Sequence, residues 1–194
     1  GLPVLGVIPH TRATTLDKLY KENLDTRSHF AEAYRSLRTA LQFSTAEGMP
    51  RVLMVTSASM GEGKSTSALS LAMQVAQMGK KVLLIDGDLR KASLHGNLEL
   101  PNDLGLTNYL AGDAKPVDIT QATGIPNLFA ITSGPLPPNP AELVSSTKMV
   151  SLLSLAAEKF DQVIVDGPPV LGLADAPLLG SIVDATVLVV ESGS

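Results

Sequence analysis

Apolar residues along this chain gather in short dense runs, separated by polar stretches punctuated with glycine and proline. Residues 51–56 (RVLMVT), 81–85 (KVLLI), 127–132, 162–165 (QVIV) and 185–190 (ATVLVV) are such runs, each bounded by turn residues, and they predict buried strands. Helical patterns fall between them, over 65–78 with Gly79 as the stop, near 106–110, over 141–159 and over 174–179. Ser28 predicts the N-cap of an earlier helix running to about Phe43, with Phe30, Tyr34, Leu37 and Leu41 on one face. Apolar strands alternating with helices predict a doubly wound α/β fold, its mostly parallel sheet covered on both sides. Residues 1–27, a short apolar piece followed by Thr, Lys, Asp and Arg, predict an arm or linker ahead of a compact domain over 28–194. The stretch 134–140 (GPLPPNP) predicts a rigid loop inside that domain.

Composition narrows the classes. With 44% hydrophobic and 18% charged residues the chain has the balance of a globular domain. Fifteen basic residues against nineteen acidic ones give a net charge of -4, and no basic run marks a nucleic-acid or anionic-membrane surface. There is no cysteine, which excludes disulfides, thiol catalysis and cysteine-ligated metals. No run reaches the roughly 18 apolar residues of a membrane helix, and residues 1–27 show no basic segment leading into an apolar core, so no signal peptide is expected. The chain opens on Gly1 and stops after a strand-like run, so it is expected to be a piece of a longer protein.

The chemistry concentrates at residues 58–66. Ala58-Ser59-Met60-Gly61-Glu62-Gly63-Lys64-Ser65 has P-loop spacing, with alanine where glycine is commoner, and it lies between a predicted strand and a predicted helix. Gly61 and Gly63 let successive backbone N–H groups turn toward phosphate oxygens, and the following helix offers its positive end to the same anion. Lys64 is placed to reach the β- and γ-phosphates, Ser65 to coordinate Mg²⁺ and Thr66 to bond the α-phosphate, which predicts ATP and Mg²⁺ as ligands. The backbone of Glu62 is its useful part, and its side chain is expected to face solvent. Two predicted strands end in acids: Asp86-Gly87-Asp88-Leu89-Arg90 and Asp166-Gly167-Pro168-Pro169. Ligands of open parallel sheets gather at the carboxyl ends of the strands, so both acids should face the P-loop. Asp166 fits the acid that holds Mg²⁺, and Asp86 and Asp88 can supply a metal contact and a base for an attacking hydroxyl. A helix cap or turn is the plain alternative for each aspartate, and taken alone Asp88 would be assigned to that role.

In combination these boxes resemble the bacterial tyrosine kinases, cytoplasmic modules of polysaccharide co-polymerases, whose P-loop, Asp-x-Asp-x-Arg box and Asp-x-Pro-Pro box occur here in the same order. Glu32-Ala33-Tyr34-Arg35-Ser36-Leu37-Arg38 is similar to the family's Glu-x-x-Arg-x-x-Arg oligomerisation motif, Leu2-Pro3-Val4-Leu5-Gly6-Val7-Ile8-Pro9 to the segment after its second membrane helix, and Pro138-Asn139-Pro140-Ala141-Glu142-Leu143 to another recurrent stretch. The resemblance implies a protein-tyrosine autokinase acting on neighbouring subunits of a ring, with catalytic roles for Lys64, Asp86, Asp88 and Asp166, regulating exopolysaccharide synthesis. It also implies a membrane-spanning co-polymerase part, a tyrosine phosphatase as partner, and a place on the cytoplasmic side of an inner membrane. For Arg90 it implies positioning of phosphate or bracing of the acidic box, with an ordinary surface arginine as the equal alternative. From the residues alone, the Glu32/Arg35/Arg38 band reads as a solvated charged face; with the family, it reads as a ring contact. Two features depart from the family. No tyrosine follows Tyr109, so the autophosphorylated tail cluster is expected to be missing. Gly167 stands where Thr or Ser is commoner, a difference expected to matter little.

A Min/Par-type ATPase shares the fold and the boxes, but it carries an extra lysine near the start of the P-loop, where this chain has Ser59 and Met60. A metal-cluster carrier ATPase needs a Cys-x-x-Cys that is absent here. A nucleotide-binding assembly module with slow hydrolysis is the remaining alternative.

Overall fold

The computed structural model describes residues 4–11, 13, 15–59, 63–171 and 174–191. In chain order its elements are α1 (Leu16–Leu24), α2 (His29–Gln42), β1 (Val52–Ser57), α3 (Lys64–Ala76), β2 (Val82–Asp86), α4 (Leu94–Asn97), α5 (Leu106–Leu110), α6 (Pro116–Ile119), β3 (Thr120–Ala122), β4 (Leu128–Ile131), α7 (Pro140–Val144), α8 (Thr147–Lys159), β5 (Gln162–Asp166), α9 (Asp175–Gly180) and β6 (Ala185–Val189). The strands form one sheet in the order β3-β4-β2-β5-β1-β6. Every pairing is parallel except that of β3 on β4.

Alternate strand residues serve two cores, as strands covered on both faces require. Leu53, Val55, Leu84 and Ile164 face a cluster built with α1, α2 and α3. Met54, Leu83, Ile85, Val163 and Val165 face the opposite cluster with Leu106, Leu152 and Leu179. The expected strands, the α2 helix behind its Ser28 cap and the α3 stop at Gly79 (φ +81°) all appear. The pattern over 141–159 is two helices, because the Ser146 hydroxyl accepts the N–H of Met149 and starts α8 afresh. The edge strand β3 and the single turns α4 and α6 had no pattern long enough to announce them.

The segment read as an arm contains α1, started by Thr15, whose hydroxyl accepts the N–H of Lys18. Asn23 explains its seating. It is fully buried, and its Nδ2 donates to the Leu19 carbonyl (3.0 Å) and to Ser70 Oγ of α3 (3.3 Å). Its Oδ1 accepts Gln74 Nε2 (2.9 Å). Alongside, Tyr34 of α2, 1% exposed, donates to Ser67 Oγ of α3 at 2.9 Å. A polar seam thus joins α1 and α2 to the helix that begins at Lys64. Removing the Asn23 amide leaves buried partners without bonds, which costs ~1–3 kcal/mol. Asn23→Ala is expected to lower the unfolding free energy by about that amount in urea titrations; wild-type stability in this variant would show that α1 is not integral to the fold.

Candidate functional site

In the parallel pairing of β2 with β5, Asp86 lies directly beside Asp166. Both strands therefore deliver a carboxylate to the same point of the sheet's carboxyl edge. The neighbouring strand β1 feeds the P-loop, and Gly63, at φ +79°, adopts a left-handed turn that side chains disfavour just before α3 begins. The helix thus opens on Lys64, whose ammonium is 2.6 Å from Asp166 Oδ1 and 3.3 Å from Asp88 Oδ2. Ser65 Oγ donates to Asp166 Oδ2 at 2.9 Å and lies 2.7 Å from Ser93 Oγ. Thr66 stands half-buried in the first turn of α3. Ser59 lies ahead of it, its carbonyl accepting Ser57 Oγ at 2.6 Å. Met60, Gly61 and Glu62 lie outside the described residues.

The two aspartates of the first acidic box differ in what they do. Asp86 is fully buried, and both of its oxygens accept backbone N–H groups, Oδ1 from Asp88 (3.2 Å) and Oδ2 from Ser93 and Leu94 (3.1 Å each). Burial, with the Asp166 charge beside it, pushes Asp86 up to about 7. Asp88, for which the plain turn role stood first, offers Oδ2 to Lys64 while Oδ1 accepts the N–H of Lys91 (3.2 Å). Burial would lower the Lys64 pKa, but the Asp166, Asp88 and Asp86 carboxylates outweigh it and raise it, so the ammonium stays charged.

Arg90 turns away from this cluster. Its Nε and Nη2 donate to the two oxygens of Asp175, at 2.8 and 3.2 Å. Asp175 and Ser93 were not singled out from the sequence, since neither stands at a motif spacing; only the fold brings them here. The residues of the oligomerisation motif pair within the chain: Arg35 donates to Glu32 Oε2 (2.9 and 3.1 Å), and half-buried Arg38 donates to the Gln74 carbonyl of α3 (3.3 Å). A cleft of about 450 Å³ lined by Gln42, Met49, Arg51, Lys80 and Asp161 lies at the opposite, amino edge of the strands, away from this chemistry.

The donors at the carboxyl edge suit Mg²⁺. Ser65, Asp166 and Asp86 present hard oxygens only, and such an ion needs one or two protein oxygens beside phosphates and water. Among the described residues no cluster of three or more His, Cys, Asp or Glu could cage an ion without the nucleotide.

A mostly parallel sheet with a lysine-bearing helix start facing two strand-end carboxylates defines a P-loop nucleotide-binding domain. Residues 50–192 match the family model described as an AAA domain. The tyrosine-protein kinase YwqD of Bacillus subtilis (strain 168) is 46% identical over 169 residues, 87% of this chain and 71% of that protein. The solved kinase domain of Escherichia coli tyrosine kinase ETK superposes with a TM-score of 0.88 at 36% identity, covering 96% of this chain and 77% of that one. The septum site-determining protein MinD of Pyrococcus horikoshii, solved with Mg-ADP, follows at TM-score 0.62 and 28% identity, covering 73% of this chain and 58% of that one. This chain belongs to the AAA-domain family and, within it, to the bacterial tyrosine kinases.

Gly167 has a structural reason the sequence did not carry. A Cβ there would stand 2.6 Å from Met54 Sδ and 2.9 Å from its Cγ, so the Met54 side chain fills the space that Thr or Ser would occupy. Gly167→Thr is expected to destabilise the domain by ~1–3 kcal/mol, and pairing it with Met54→Ala is expected to recover part of that loss. Equal melting temperatures for wild type and Gly167→Thr would refute the clash.

Proposed function

We propose that this chain is an ATP- and Mg²⁺-dependent protein-tyrosine autokinase, a reading supported above all by the Lys64 ammonium held between Asp166 and Asp88 at the head of α3. In this reading Lys64 leaves its carboxylates to neutralise charge gathering on the γ-phosphoryl oxygens. Ser65 and Asp166, with Asp86 next to them, would hold Mg²⁺, which would supply further neutralisation of the triphosphate. The acceptor phenol oxygen forms a bond to the γ-phosphorus as the bond to ADP breaks. Its proton passes to a carboxylate of the first acidic box. Asp88 is the better placed base, because its Oδ2 is freed when Lys64 moves to the phosphate, whereas both Asp86 oxygens stay on backbone N–H groups. P-loop amides, including those of residues 59–63 and Thr66, hold the phosphates. Arg90 acts as a brace.

The acceptor tyrosine comes from a neighbouring subunit, in a ring to which Glu32, Arg35 and Arg38 contribute. No described helix is long and apolar enough to cross a membrane; the membrane-spanning part belongs to the same protein outside this stretch or to a partner chain. The kinase then sits on the cytoplasmic face of an inner membrane, serves exopolysaccharide synthesis and export, and is reversed by a tyrosine phosphatase. No nucleic acid takes part.

Incubation with labelled ATP and a tyrosine-rich peptide separates the readings. Phosphotyrosine supports the kinase; free phosphate alone supports a Min/Par-type ATPase; bound ATP with neither product supports an assembly module. Lys64→Met is expected to cut phosphotyrosine formation at least ~10²–10³-fold, since it removes the ammonium that the fold sets at the head of α3 for the γ-phosphate; near-normal transfer in this variant would exclude the mechanism. Arg35→Ala combined with Arg38→Ala is expected to shift light-scattering mass toward the monomer. An unchanged assembly would remove α2 from the interface.

A further inference from the structure

Asp175 opens α9, is 2% exposed, and has no part in the chemistry above. A buried carboxylate is costly to leave unpaired, and here the pairing group is Arg90, whose side chain is 43% exposed. The two meet fork to fork, which fixes the orientation of the guanidinium as well as its position. Arg90 belongs to the loop after β2, two residues beyond Asp88. The next residue, Lys91, gives its N–H to Asp88 Oδ1, while Asp88 Oδ2 faces Lys64. On the other side, the segment after β5 lies along the strand-to-P-loop junction, with Val170 N donating to the Ser57 carbonyl (2.9 Å) and Leu171 N to that of Ala58 (3.1 Å). The Arg90–Asp175 pair therefore ties the loop carrying Asp88 to the segment leading away from Asp166.

We infer that Asp175 is a positioning residue for phosphoryl transfer: through Arg90 it holds the loop after β2 so that Asp88 stays within reach of Lys64 and of the acceptor's proton. The inference rests on the kinase reading of this site. An ordinary exposed ion pair would contribute little to anything; this one has its acid inside the protein, so the loop cannot drift without stranding a buried charge. Misplacement of a reacting group by about an ångström costs on the order of 10²-fold in rate, whereas nucleotide affinity, set by the P-loop and Lys64, is untouched.

The test uses the domain with labelled ATP and a tyrosine-rich peptide, at a temperature where circular dichroism shows every variant folded. Asp175→Asn and Arg90→Gln are each expected to lower kcat about 10- to 50-fold, with KM for MgATP within about 3-fold of wild type. The double variant is expected to lose no more than the worse single one, because both break the same tie. A wild-type kcat in either variant, a loss carried by KM, or losses that multiply would each overturn the inference. Should Asp175→Asn fail to fold, Arg90→Gln, altered at a half-exposed side chain, decides alone. Absence of phosphotyrosine from the wild-type protein sinks the kinase reading itself, a result distinct from the failure of the tie.

Discussion

One ammonium group among too many carboxylates governs this structure. Parallel pairing in register forces Asp86 and Asp166 side by side at the end of the sheet, and the loop after β2 adds Asp88. Buried like charges at such separation cannot all stay ionised without compensation. Three devices supply it. Lys64 takes Asp166 and Asp88, backbone N–H groups converge on Asp86, and Asp86 itself is pushed to about 7 so that part of the charge is relieved by a proton. Two of these devices can be replaced by a ligand: a divalent cation can do the work of the proton, and a triphosphate can draw Lys64 off its carboxylates.

That arrangement works only if α3 starts at a fixed point. The helix is buried along almost its whole length, and its contact with α1 and α2 is polar as well as apolar: Asn23 with Gln74 and Ser70, Tyr34 with Ser67, Arg38 with the Gln74 carbonyl. Apolar packing tolerates sliding by small repacking, whereas buried hydrogen bonds lose their partners when the register shifts. The seam therefore sets the axial position of Lys64 from behind, as the carboxylates set it from in front. Helix α2, with Glu32, Arg35 and Arg38, touches the P-loop helix directly, one of the motif's arginines included.

Much of this was legible in the residues because local pattern and site coincide: apolar strands ending in Asp86 and Asp166, a glycine-punctuated turn before Lys64, and an amphipathic α2. What escaped was decided by tertiary contact. The polar stretch around Asn23 looks like linker until Gln74 of α3 satisfies it. Which of Asp86 and Asp88 has its oxygens filled by backbone depends on which one the N–H groups of Ser93 and Leu94 can reach, and no spacing encodes that. Asp175 looks like any helix-start acid, and its meaning lies in Arg90, 85 positions away. What sets Gly167 apart from Thr or Ser is what lies beneath it, the Met54 side chain, which local sequence does not reveal.

The three tyrosines bear on where the acceptor can come from. Tyr34 is 1% exposed, its ring edge-on to Phe30 at 5.0 Å and its hydroxyl bonded to Ser67, so presenting it to another active site would mean unfolding the seam that holds α3. Tyr109 is half-buried, with its hydroxyl on the Lys148 carbonyl (3.3 Å) and the Lys148 ammonium over its ring at 5.0 Å. Tyr20 is half-buried against the cluster that includes α1 and α3. A phenol must stand in line with the γ-phosphorus to react, and a tyrosine embedded in a folded helix cannot reach such a position without losing its packing. The three tyrosines of this chain, each packed in a folded helix, are thus poor acceptors.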